Sequence, residues 1–94
     1  MKLILRPEYR KMLLSLDPSE GLIVARSMRR IEHAAGAIGK PLRGDLSRCR
    51  SIRTGHNSRL RIVYRPLEDS AELLAVGKRE GRIVYIIALE ILEN

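Results

Sequence analysis

RLRIVYRP, residues 59–66, alternates without a break: Leu60, Ile62 and Tyr64 fall on one side, Arg59, Arg61, Val63 and Arg65 on the other. A helix would scatter these apolar residues around its axis, so a period of two demands a strand with one face toward a core. The flanking residues extend the constraint. GHNS, residues 55–58, reads as a hairpin loop that joins this strand to CRSIRT, residues 49–54, a second candidate strand. Pro66 and EDS, residues 68–70, turn the chain into AELLAVGKR, residues 71–79, which is apolar on both faces as a central strand is. Three strands in succession make an antiparallel meander.

Before Cys49 the period is helical. KLILR, residues 2–6, reads as a short first strand ending at Pro7. Tyr9, Met12, Leu13 and Leu16 then recur at helical spacing, and Pro7 suits the first turn of that helix. DPSE, residues 17–20, starts a second helix: Asp17 caps it, Pro18 takes the first helical position, and Glu20 stands three residues after the cap. This helix is expected to run to about Ala35 and to pack through Leu22, Ile23, Met28, Ile31 and Ala35. Gly36 and Gly39 with Pro41 end it, and KPLRGDLSR, residues 40–48, follows as a loop. The last piece, RIVYIIALEILEN, has β-branched residues early and helix formers late. On its residues alone it reads as strand or helix, and we prefer a helix from about Arg82. The order is β-α-α-β-β-β-α, an α+β fold occupying residues 1–94 as one domain, with the helices expected on one face of a small, mainly antiparallel sheet.

With three Tyr, no Phe and no Trp among 94 residues, the core must be built from Leu, Ile, Val and Ala. The one cysteine, Cys49, leaves no internal disulfide and reads as a small packing residue. No apolar run reaches the roughly 20 residues that span a bilayer, and no N-terminal stretch has the flanks of a signal peptide. A cytoplasmic protein without a membrane partner is the expectation. No CxxC, HExxH, GxxxxGK[ST] or GxGxxG occurs, so neither a metal nor a cofactor is expected.

The net charge of +7 and pI of about 10.3 point to an anionic partner. Of 18 cations, 11 lie between Lys40 and Arg82, against 5 of the 11 acids. Pairing through GHNS puts Arg53 and Arg61 on one sheet face, with Arg79 at the end of the next strand. Clustered guanidinium groups repel one another unless an anion joins them, and phosphate matches their bidentate geometry. The alternative is an ordinary solvated strand face. His33 reads as a solvated helix residue; His56, in the hairpin loop, is a candidate acid or base.

Three stretches in this order, GKPLRGDLSRCRSIRTG, RLRIVYRP and LLAVGKREGRIVY, resemble the RelE/ParE superfamily of bacterial type II toxins. The resemblance covers most of the chain and is tightest from Leu42 to Tyr85. It implies a small sheet with an N-terminal helical hairpin and a C-terminal helix. On the RelE side it implies a ribosome-dependent endoribonuclease that cuts mRNA without metal and is held inactive by a cognate antitoxin. Carried onto this sequence, the catalytic positions are Arg53, Arg61, Arg79 and Tyr85, with Arg50, Ser51, Arg59 and Lys78 binding substrate around them. Ser51 is a departure, standing where the family has a lysine. Alternation sets the neighbouring Arg50 on the face of Ile52, so it substitutes only through a bulge or slip. Arginine is a poor general base, which leaves Tyr85, Lys78 and His56 for proton transfer. The ParE side implies instead a DNA gyrase inhibitor. A third reading is a RelE-like binding module without catalysis.

Overall fold

In the computed structural model, which describes residues 1–34 and 37–93, five strands form one sheet in the order β1-β5-β4-β3-β2. β1 (Lys2–Leu5) lies parallel to β5 (Ser70–Lys78), pairing Lys2 with Ser70 and Leu5 with Leu73. β3 (Arg50–Thr54), β4 (Leu60–Pro66) and β5 form the antiparallel meander that the alternation predicts. α1 (Pro7–Leu14) and α2 (Pro18–His33) follow β1, and α3 (Ile83–Glu93) closes the chain as a helix. The α+β fold and its element order agree with the sequence reading.

One strand was hidden in the expected loop. β2 (Lys40–Pro41) pairs antiparallel with β3 at the sheet edge, Lys40 opposite Ser51. Two residues carry no period, and a proline is tolerated only because this is an edge. A 3₁₀ turn at Gly44–Leu46 follows it.

The helices do not share a face. Tyr9 of α1 and Val24 and Ile31 of α2 pack with Ile52, Ile62 and Tyr64, whereas Val84, Ala88 and Ile91 of α3 pack with Val63, Leu74 and Cys49 on the other side. The strand that separates them is β5, buried from Ala71 to Val76. A register shift opposite Val63 and Tyr64 gives β5 an extra residue, so Leu74 and Ala75 both serve the α3 face. An apolar run on both faces of a strand implies two covered faces, a consequence the expectation of one helical layer did not follow through.

α2 begins as its sequence predicts: Glu20 N–H donates to the Asp17 carboxylate at 2.9 Å, and Asp17 N–H donates to Glu20 at 3.3 Å. Its buried stripe differs. Val24, Ser27 and Ile31 face the sheet while Leu22 is 57% exposed. A small polar residue was admitted to the stripe because Ser27 bonds Thr54 of β3, hydroxyl to hydroxyl, at 2.7 Å. Residues Ala35 and Gly36, expected at the end of this helix, lie outside the described residues; Ala34 is the C-terminal cap.

Candidate nucleic-acid-binding cleft

β3 and β4 meet in a register that sets Arg53 directly opposite Arg61 and Ser51 opposite Val63. These side chains lie on the α3 face of the sheet. β2 on one side, the 3₁₀ turn at Gly44–Leu46 and the start of α3 on the other enclose a cleft of about 830 Å³ above them. Five cations line it: Lys40, Arg43, Arg53, Arg61 and Arg82, with no carboxylate among the lining residues. Ser51 and Tyr85 complete its polar wall, their hydroxyls 3.3 Å apart.

Gly39 makes this edge possible. It adopts φ +92°, and a Cβ there would stand 2.7 Å from the Ser51 carbonyl oxygen. Only glycine lets the chain approach β3 so closely as it enters β2. On the opposite side, Gly77 pairs with Arg61, and a Cβ at that position would lie 3.3 Å from a Val84 methyl. The glycine that ends the apolar run of β5 therefore brings α3, and with it Tyr85, down onto the sheet.

Arg61 is the fixed element of the cleft. It is only 8% exposed, and its Nη1 donates to the carbonyls of Ser58 at 2.6 Å and Leu60 at 3.3 Å. No carboxylate pairs with it among the described residues. The contrast with Arg65, four residues on along the same face, is direct. Arg65 Nε donates to Glu72 at 3.0 Å, and Glu72 also takes Arg6 of the β1–α1 junction at 3.4 Å. One arginine of the strand is neutralised; the other keeps its charge and turns it on the cleft. A guanidinium withdrawn from water without a counter-charge favours any anion that can reach it.

The remaining candidate residues separate clearly. Arg53, Arg61, Ser51 and Tyr85 come together. Arg50 does not: its Nε donates to the Ile38 carbonyl at 3.0 Å, and its Nη2 to Gly39 at 2.7 Å and Ala37 at 3.3 Å. It pairs across the strands with Tyr64, whose hydroxyl donates to the same Ile38 carbonyl at 2.5 Å. No bulge or slip in β3 brings Arg50 round, so alternation keeps it on the α2 face, where it ties down the chain entering β2. Lys78 also leaves the site, lining a separate depression with Met12, Leu16 and Glu20. Arg59 precedes β4 instead of opening it; it is exposed, as are His56 and Arg79. None of these three lines the cleft, and of the candidate bases only Tyr85 does.

Sequence reading missed three cations. Lys40 and Arg43 stood in a segment taken as loop. Arg82 has no role in the sequence reading, because its direction is set by the left-handed backbone before α3, which no period in the sequence records.

No protein-family model matches the chain, and no curated protein sequence does. Solved structures do. The isolated E. coli RelE toxin superposes with a TM-score of 0.72 at 20% identity, over 97% of this chain and 97% of that one. A variant of E. coli RelE with two arginines replaced by alanine, in the free state, gives 0.78 at 22% identity over 97% and 96%. The RelBE2 toxin–antitoxin complex of Mycobacterium tuberculosis gives 0.65 at 25% identity, covering 83% of this chain and 96% of that chain. At these identities the likeness is one of fold.

Proposed function

We propose that this chain, whose fold is that of the RelE toxins, is the toxin of a type II toxin–antitoxin pair and acts as a ribosome-dependent endoribonuclease on mRNA. The observation that carries the reading is the cleft in which Arg53 and Arg61 face each other across adjacent strands beside Tyr85, with no acid in its lining. A polyanion fits that cleft better than a protein surface of mixed charge.

The chemistry needs no metal. The 2′-hydroxyl of a nucleotide loses its proton and attacks the adjacent phosphorus. The bond to the 5′ oxygen breaks, that oxygen leaves with a proton, and a 2′,3′-cyclic phosphate remains. Negative charge grows on the phosphoryl oxygens as the attack proceeds. Arg61, held by two backbone carbonyls, meets that charge without reorganising, and Arg53 stands opposite it. Arginine stays protonated, so proton transfer falls to Tyr85, whose hydroxyl already bonds Ser51 in the cleft. Ser51 adds a hydroxyl but no charge, and the ribosome supplies the positioning of the mRNA. Arg79 and Arg59, exposed outside the lining, are assigned to the flanking RNA backbone. An antitoxin of acidic, amphipathic character would cover α3, where Ile83 and Ile86 remain 55% and 53% exposed, and screen the cleft.

Controlled expression in a bacterial host tests this, with growth and mRNA 5′ ends followed together. Wild type is expected to arrest growth and produce new ends inside translated codons. Arg61→Ala, folded, is expected to lower cleavage by roughly a hundredfold or more. Arrest without new ends would transfer the reading to gyrase, and no arrest by soluble protein would leave a binding module.

A further inference from the structure

We infer that Arg82 is a substrate-contacting residue of the cleft, holding a second phosphate of the RNA beside the one that Arg61 engages. The inference rests on the nucleic-acid reading above and gives the cleft a polynucleotide, rather than a single nucleotide, as its ligand class.

Three observations meet at this residue. First, Arg82 has φ +57°, a left-handed backbone that a non-glycine side chain rarely adopts. It closes the 3₁₀ turn Glu80–Arg82 immediately before α3. Such a conformation persists only where its surroundings impose it, and imposed strain concentrates where a side chain must be aimed. Second, the place to which it leads is the cleft. Arg82 is at once a lining residue of the cationic cleft and of a smaller apolar depression formed with Leu46, Ile86 and Leu89. Tyr85 is shared by both in the same way. Arg82 and Tyr85 thus form the ridge between a surface suited to phosphate and one suited to the flat face of a base. Third, Arg82 is exposed, and its guanidinium has neither a hydrogen bond nor an ion pair among the described residues. Arg61, by contrast, is deep and held. Arg61 and Arg82 line one cleft, so a strand whose reacting phosphate sits against Arg61 and which leaves over this ridge carries its next phosphate past Arg82.

The geometry also redistributes the roles along VGKREGR. Lys78 turns toward α1 and α2, and Arg79 stays outside the lining. The left-handed turn after Gly81 lets the last cation of the segment reach the cleft. Charge at this end of the site is therefore carried by the residue that immediately precedes α3, three before Tyr85.

The test is binding of a short, fluorescein-labelled RNA with a 2′-O-methyl group on every nucleotide, which the protein cannot cut, measured by anisotropy across a salt series. Asparagine tolerates the left-handed backbone, so Arg82→Asn removes the charge and keeps the turn. It is expected to weaken binding roughly tenfold at low salt and to make the plot of log affinity against log salt shallower by about 0.7, one phosphate contact on a single strand. Arg82→Lys should keep the slope, and Arg29→Gln, an exposed cation of α2, should leave both slope and affinity unchanged. If Arg82→Asn fails to fold, Arg82→Gly, which suits the same backbone better, is read in its place. Wild-type affinity and slope in the charge-removing variant, with binding lost in Arg61→Ala, would overturn the role of Arg82 and leave the RNA reading standing. Absence of salt-dependent binding by the wild type would overturn both.

Discussion

Arg50 directs its guanidinium at the carbonyls of Ala37, Ile38 and Gly39, three consecutive acceptors on the approach to β2. Arg61, one strand away on the opposite face, takes two carbonyls with one nitrogen and offers the rest of its charge to the cleft. The two residues have the same chemistry and different consequences. Arg50→Ala should lower stability by about 1 kcal/mol in a denaturant titration, because a charged donor to the partly buried Ile38 carbonyl and two exposed bonds beside it are lost, while the salt slope of RNA binding stays at the wild-type value. A shallower slope would return Arg50 to the substrate site. At this scale the sequence was legible wherever alternation decided the face: Arg53, Arg61 and Ser51 on one side, Arg50 on the other. It was not legible for Arg82, whose direction depends on a backbone dihedral that no period records.

Helix α2 is the clearest case of an element whose beginning was readable and whose packing was not. The carboxylate of Asp17 accepts from the Ser19 hydroxyl at 2.7 Å and from the Glu20 N–H. These bonds hold its pKa below the ordinary value of 3.8, the Ser19 hydroxyl contributing most. A carboxylate depressed in the folded state adds stability above its unfolded value and loses it as the pH falls through the folded one. The thermal midpoint of Asp17→Ala should therefore lie below that of the wild type at pH 7, and the gap should narrow as the pH drops below about 3.8. A gap that is constant or grows in acid would contradict the cap. The stripe of α2 misled because leucine and isoleucine outrank valine and serine on any apolar scale, while rotation about the helix axis is set by what the sheet presents. The Thr54 hydroxyl selects Ser27, and Leu22 is left outside. α3 posed the opposite difficulty. Its apolar residues run nearly all the way round, so the buried set Val84, Ala88 and Ile91 emerges only once β5 is known to need a second cover.

On the scale of the molecule, one sheet serves two purposes through its two faces. The face under α1 and α2 carries the larger apolar cluster. The face under α3 is apolar along Val63, Leu74 and Ala75 and cationic toward β2, where only the start of the helix, with Tyr85, borders the cleft. The excess of positive charge in residues 40–82 announced a cationic surface, and the shared face of Arg53 and Arg61 was implied by the strand period and the hairpin loop between them. The walls were not: a two-residue strand, a 3₁₀ turn and the entry to α3 are too short to carry a pattern. The measurement that tests the central claim most directly is a single-turnover assay on ribosomes programmed with mRNA, comparing an unmodified codon in the A site with one bearing a 2′-deoxy substitution at the cut nucleotide. Cleavage of the unmodified codon to a 2′,3′-cyclic phosphate and a 5′-hydroxyl is expected, lost in Arg61→Ala and lost on the deoxy substitution. Equal cleavage of the deoxy-substituted codon, or no cleavage of either by folded wild-type protein, would contradict it.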